Sequence, residues 1–261
     1  MEILKIKKKG KKYQVEMTNE MVYLWHEDVM IKYQIFKPKM QISEEKMQLI
    51  IKDNEFYLAF DKALNYLNVM HSKRQVENYL RKTFDYDIVK MVINRLEELN
   101  YLNEKEFAKA YLYEGFKNHK GPNLIKENLL LEGINRDIVE EIIALYTDEM
   151  EKEACNKAYL KQMNSYKKES YNSFKQKMTI FLTNKGFNSK MIAFSLANNQ
   201  RLLDNIIDEE KLIEKAYDKY YRQYSRKFQG KELKERIKRG LYSKGFSLEK
   251  IKNIIDSREE K

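Results

Sequence analysis

Proline is nearly missing from this chain of 261 residues: there are two, beside eight glycines, one cysteine, three histidines and one tryptophan. So few backbone breakers, set against abundant Lys, Glu, Leu, Ile, Asn and Tyr, exclude a loop-rich protein and predict a mostly helical one. A single cysteine, Cys155, excludes an intramolecular disulfide and a cysteine metal cluster, and fits a reducing cytosol. His26, His71 and His119 lie in separate segments without metal-ligand spacing, so they read as surface residues and no metal is expected. No apolar run reaches about 18 residues, so no membrane partner is expected and the expected location is cytoplasmic. Glycine-rich phosphate loops and a GxSxG elbow are absent too. Adjacent carboxylates such as Glu97-Glu98 and Glu140-Glu141 point to different faces of a helix. The expectation is a protein that is not an enzyme and carries no cofactor.

What is present is charge, unevenly placed. The formal net charge is +10. Residues 1–52 carry eleven basic and seven acidic side chains, residues 209–261 sixteen and ten, and the stretch between is balanced. Basic ends around a neutral middle suggest contact with a polyanion near the termini.

Residues 1–52 read as a small β domain with a connector helix. Ile3, Leu4 and Ile6 precede a Lys-Gly-Lys turn at Lys9–Lys11, and Tyr13, Val15 and Met17 alternate with polar residues after it. Met21–Trp25 and Val29–Phe36 read as further short strands of an antiparallel sheet, with Trp25 in its core. The hairpin lysines read as edge-strand lysines that block aggregation. Ser43, with Glu44 and Glu45 behind it, starts a short connector helix. From Asn54 the chain becomes a succession of helices. Ser72 and Gln75 form a capping box, and Asp85 caps the helix after it, whose inward face is Ile88, Val92, Ile93, Leu96 and Leu99.

The clearest unit is Tyr101–Ile134. Asn103 with Glu106 opens a helix whose apolar stripe is Phe107–Ala110–Tyr111. Gly121-Pro122 opens another, carried by Ile125 and Leu129 to Gly133, a residue suited to the left-handed position past a helix end. The same pattern recurs around Gly186 and Gly245, and Thr83 stands at that place in a first copy. The intervals are 50, 53 and 59 residues. Four tandem three-helix, helix-turn-helix-like repeats are therefore expected, over 53–100, 101–147, 148–208 and 209–261. Stacked neighbour on neighbour, they predict an elongated curved array with a long binding surface. The fold class is mainly α, preceded by the small antiparallel β segment, and the chain is expected to be a monomer.

The last repeat concentrates cations. Arg222, Arg226, Lys227, Lys231, Lys234, Lys238 and Arg239, with Arg236 among them, fall in one loop and the helices beside it. Lys231, Lys234 and Lys238 share one helix face, opposite the apolar stripe Leu233–Ile237–Leu241. This outward basic row is the candidate partner or nucleic-acid surface. A terminal capping repeat made polar for solubility would look the same.

NRLEELNYLNEKEFAKAYL followed by KGPNLIKENLLLEGI resembles the signature of the RecX family, regulators of the RecA recombinase. The match centres on Leu96, Leu99, Leu102, Phe107, Ala108, Gly121, Ile125, Leu129, Gly133 and Ile134, and HSKRQVENYLRK from His71 is similar to the family's first repeat. It covers about residues 54–200, while the sheet and fourth repeat resemble those of longer members. Thr83 and Asn100 stand where glycines are common, and Asn103-Glu104 replaces an acidic pair. The resemblance implies a partner, the RecA recombinase filament, in whose groove the protein would dock to modulate filament growth, strand exchange and repressor cleavage. Single- or double-stranded DNA is a further expected partner. The rival reading is a direct DNA-binding helix-turn-helix regulator with no recombinase partner, and a purely structural scaffold is a third.

Overall fold

In the computed structural model, which describes residues 1–259, three antiparallel strands precede fourteen α-helices. The last two residues of the expected repeat 209–261 lie outside the described residues. The strands β1 (Ile3–Lys9), β2 (Lys12–Met17) and β3 (Val22–His26) lie in the order β1-β2-β3. Lys9 pairs with Lys12 across a tight turn in which Gly10 takes φ +64°. The alternation seen in the sequence sends Ile3, Val15, Met17 and Trp25 to one buried face. The lysines of β1 are exposed on an edge strand.

Val29–Phe36, expected as a strand, is instead mostly α1 (Glu27–Lys32) and the turn after it. His26 caps this helix, its ring nitrogen accepting from the Asp28 amide, and Glu27 and Asp28 place negative charge in its first turn. Val29 and Met30 are buried beneath the sheet, so local capping and tertiary burial together override a β-like composition.

The connector helix after Ser43 and the helix expected from Asn54 are one helix, α2 (Glu44–Tyr66). Ser43 caps it by accepting from the Lys46 amide. Asn54 starts nothing; its Oδ1 accepts from the His26 amide at 2.7 Å and its Nδ2 donates to the Leu24 carbonyl. Met47 and Ile50 of α2 belong to the core under the sheet, whereas Ala59 and Ala63 belong to the core it builds with α3 (Lys73–Leu80) and α4 (Tyr86–Glu98). Ser72 and Gln75 make both bonds of the capping box on α3. Asp85 sits at the N-cap of α4 in extended conformation but makes no side-chain cap bond, and Leu99 points outward.

Three-helix sets continue with α5 (Glu104–Lys117), α6 (Pro122–Leu131) and α7 (Arg136–Ile143), then α8 (Asp148–Met163), α9 (Tyr171–Asn184) and α10 (Ser189–Asn198). A short α11 (Gln200–Ile206), absent from the sequence expectation, leads to α12 (Glu209–Tyr224), α13 (Gly230–Ser243) and α14 (Leu248–Glu259). Asn103 caps α5 through bonds from the Lys105 and Glu106 amides. The buried face of α5 is Phe107, Ala108 and Leu112; Ala110 is exposed and Tyr111 half-buried. The stripe is thus turned by about one residue (roughly 100°) from the expected one.

One local device recurs between successive sets. The turn before the last helix of one set seats on the N-terminus of the middle helix of the set before it. The Ser72 hydroxyl donates to Glu132 beside Gly133, and the Ser170 hydroxyl donates to the Lys244 carbonyl beside Gly245. Between them, the amides of Gly121 and Asn123 donate to the carbonyls of Lys185 and Gly186. Helix N-terminal amides thus find acceptors in the carbonyls that end another helix. The chain divides into two compact units, 1–107 with 132–135 and the remainder, and each of these three seatings is internal to one of them.

Candidate functional site

The basic surface of the last set grows out of α12 and α13. Helix α12 ends at Tyr224, which leaves Arg222 in its last turn and Arg226 and Lys227 in the connection that follows. The Leu233, Ile237 and Leu241 stripe of α13 joins Ile213, Phe246 and Ile251 in the core of the set. That burial fixes the helix rotation and holds Lys231, Lys234 and Lys238 outward, all exposed. Arg222, Arg226, Lys227 and Arg239 are exposed as well. Arg236 is engaged otherwise: its guanidinium lies 3.7 Å from the centre of the Phe228 ring and pairs with Glu232 at 3.1 Å.

Lys234 and Lys238 border an open groove between α13 and α14 that Leu248, Ile251 and Ile255 line with apolar surface. Lys252 of α14 adds a third ammonium there, against the carboxylates of Glu235 and Asp256. Sequence reasoning missed Lys252, because only the packing of α14 on α13 brings it beside a row read from α13 alone.

A second concavity, of about 400 Å³, opens where α9 faces the turn between α13 and α14. Asn172, Lys175 and Gln176 line it from α9, and Tyr242, Ser243 and Lys244 from the end of α13. Sequence reasoning did not single out this cleft. Its one visible signal is that Tyr242 lies on the same α13 face as Lys231, Lys234 and Lys238.

The titratable groups expected to be inert divide. His26 is not a surface residue: it is 3 % exposed, with Nε2 3.0 Å from an Asp61 carboxylate oxygen and its ring stacked on Tyr57. It serves as cap and buried tie between β3 and α2. His71 stacks on Tyr66 at 3.8 Å, and His119 is half-buried at the end of α5. Cys155 is wholly buried, and burial pushes its thiol up to about 11, which leaves little of the reactive thiolate at neutral pH. Among the described residues, no group of His, Cys, Asp and Glu is arranged to hold a metal ion, and no helix is long and apolar enough to cross a membrane.

The sequence profile described as "RecX, third three-helix domain" matches residues 208–255, the α12–α14 set, which here follows three others. The chain is 28 % identical over 258 residues to the regulatory protein RecX of Leuconostoc citreum, covering 98 % of this chain and 96 % of that one. It is 30 % identical over 260 residues to the regulatory protein RecX of Streptococcus agalactiae, covering 98 % of both. A crystal structure titled regulatory protein RecX matches with a TM-score of 0.60 and 22 % identity, covering 73 % of this chain and 96 % of that one. That is a likeness of fold.

Proposed function

The chain belongs to the RecX family, and from that premise we propose that it regulates the RecA recombinase by binding the RecA–DNA filament. It controls filament growth, strand exchange and the coprotease function that cleaves repressors, and so acts in DNA repair and the SOS response. It does this as a monomer in the cytoplasm, by occupying the filament and not by catalysing a reaction. The observation that carries this reading is the length of the alignments: relatives named regulatory proteins match from the sheet to the last helix, not over one motif. The exposed cations of α12 and α13 support it physically, since a filament on DNA presents phosphates and acidic walls to which such a surface is attracted over about a Debye length.

Co-sedimentation with preformed recombinase filaments on single-stranded DNA tests the reading. The protein should pellet with the filaments and alter RecA-dependent ATP hydrolysis at substoichiometric ratios. A folded sample that neither pellets nor changes hydrolysis at equimolar protein overturns it. Sequence-preferring DNA binding without recombinase, with a steep salt slope, would favour the direct regulator instead.

A further inference from the structure

We propose that the cleft between α9 and the end of α13 seats an unpaired nucleotide of a single-stranded nucleic acid, its base on Tyr242 and its phosphates on Lys175 and Lys244. The contact is with the nucleic acid itself and does not depend on a recombinase.

Tyr242 carries the argument. Phe36, Tyr86 and Tyr101 are exposed to a similar degree, but this ring, 63 % exposed, stands on the lip of a concave, polar site. No other ring and no cation of the described residues covers it, although tyrosines elsewhere in the same set pair readily, as Tyr217 does with Tyr221 and Tyr220 with Tyr224. An open aromatic face is what an unstacked base requires, and every base offers a π-face to it.

The rest of the lining agrees with that ligand. A volume of about 400 Å³ falls in the range of small-molecule sites. Lys175 and Lys244 are exposed and make no ion pair among the described residues. Glu169, the carboxylate that feels Lys244, is already bonded by Lys177 and Ser173. Asn172, Gln176 and Ser243 supply donors and acceptors to base edges or sugar, and among the described residues no carboxylate lines the cleft to repel phosphate.

The approach is also basic. Lys231, Lys234 and Lys238 run along the α13 face that ends in Tyr242, a path of about 16 Å at the helical rise. Glu235 lies on the same face, between Lys234 and Lys238 along the helix, and is the one acid there. A strand tracking this row by its phosphates reaches the cleft with its bases free to turn in. A duplex keeps its bases stacked and has none to offer Tyr242.

The test is fluorescence anisotropy of a labelled oligothymidine with the full chain and no recombinase. Tyr242→Ala should weaken binding about tenfold, as loss of one stacked base does. Tyr242→Phe should bind like the parent, because the ring is kept. Lys175→Gln and Lys244→Gln should each shallow the salt dependence by about one ion. Oligothymidine binding unaffected by Tyr242→Ala, equal loss with Tyr242→Phe, or equal affinity for a blunt duplex each overturns the proposal. If Tyr242→Ala melts early, the two lysine variants decide by the same salt slopes.

Discussion

Gly121 and Gly186 meet backbone to backbone. The Gly121 amide donates to the Lys185 carbonyl at 2.7 Å, and a Cβ on either glycine would overlap the main chain of the other segment. Gly186 also takes φ +88°, a conformation that L side chains rarely adopt. The glycine pair is therefore what lets the α9–α10 turn reach the N-terminus of α6.

Gly186→Ala should destabilise the protein by about 2–5 kcal/mol, left-handed strain added to overpacking. Gly133→Ala, at φ +83° but with only the Arg74 side chain 3.9 Å away, should cost about 1–2 kcal/mol. Urea melts of the two variants measure the difference. Equal costs would mean that strain alone matters and the close approach does not.

Phe107→Ala and Leu129→Ala remove buried side chains of α5 and α6 and should each cost about 2–5 kcal/mol. Thermal melts that overlay the parent would show that neither residue is packed as described.

Lys231, Lys234 and Lys238 changed together to Glu should weaken binding to the recombinase filament or to DNA, most at low salt. Circular dichroism should show α13 intact, since Glu forms helix as well as Lys. Unchanged affinity at low ionic strength with helicity retained would move the binding surface off this face.

His119 ends α5 at φ +55°, and burial, reinforced by the ammonium groups of Lys157 and Lys161, pulls its pKa below the usual imidazole value. Folding therefore favours the neutral ring. The stabilisation is full above about pH 6.5 and declines as pH falls through the folded-state value. His119→Asn keeps a residue that tolerates this backbone and removes the titration. Its urea midpoint should fall less than the parent's between about pH 7.5 and pH 5.5. Parallel pH profiles would refute the assignment.

Local chemistry was legible in the sequence. The Ser72–Gln75 box, the Asn103 cap and the glycine turns at 133, 186 and 245 depend on neighbours a few residues away, and each is formed. Asn100, standing where glycine is common in the family, takes φ +58°, and Thr83 occupies a turn without that conformation. Long-range use of a residue was not legible. Asn54 reads as a helix start, but its amide is consumed by β3. Val29 and Met30 read as strand until the sheet buries them on a helix. The outward row on α13 followed from period alone, whereas Lys252, Lys175 and Tyr242 are brought to their grooves by packing between elements.

The unbroken α2 has a consequence for how this region comes apart. One 23-residue helix contributes Met47 and Ile50 to the core under the sheet and Ala59 and Ala63 to the core of the first helical set. Neither core can lose its order without fraying the beam that holds the other, so the two should melt as one cooperative foldon with shared amide protection. A fragment begun near residue 53 would leave the remaining half-helix with an uncapped end and would shed the sheet's core. A fragment ended after Leu67, past the helix's own C-cap, would keep every residue of the sheet's core but strip Ala59 and Ala63 of their partners, and should be less stable than the whole region.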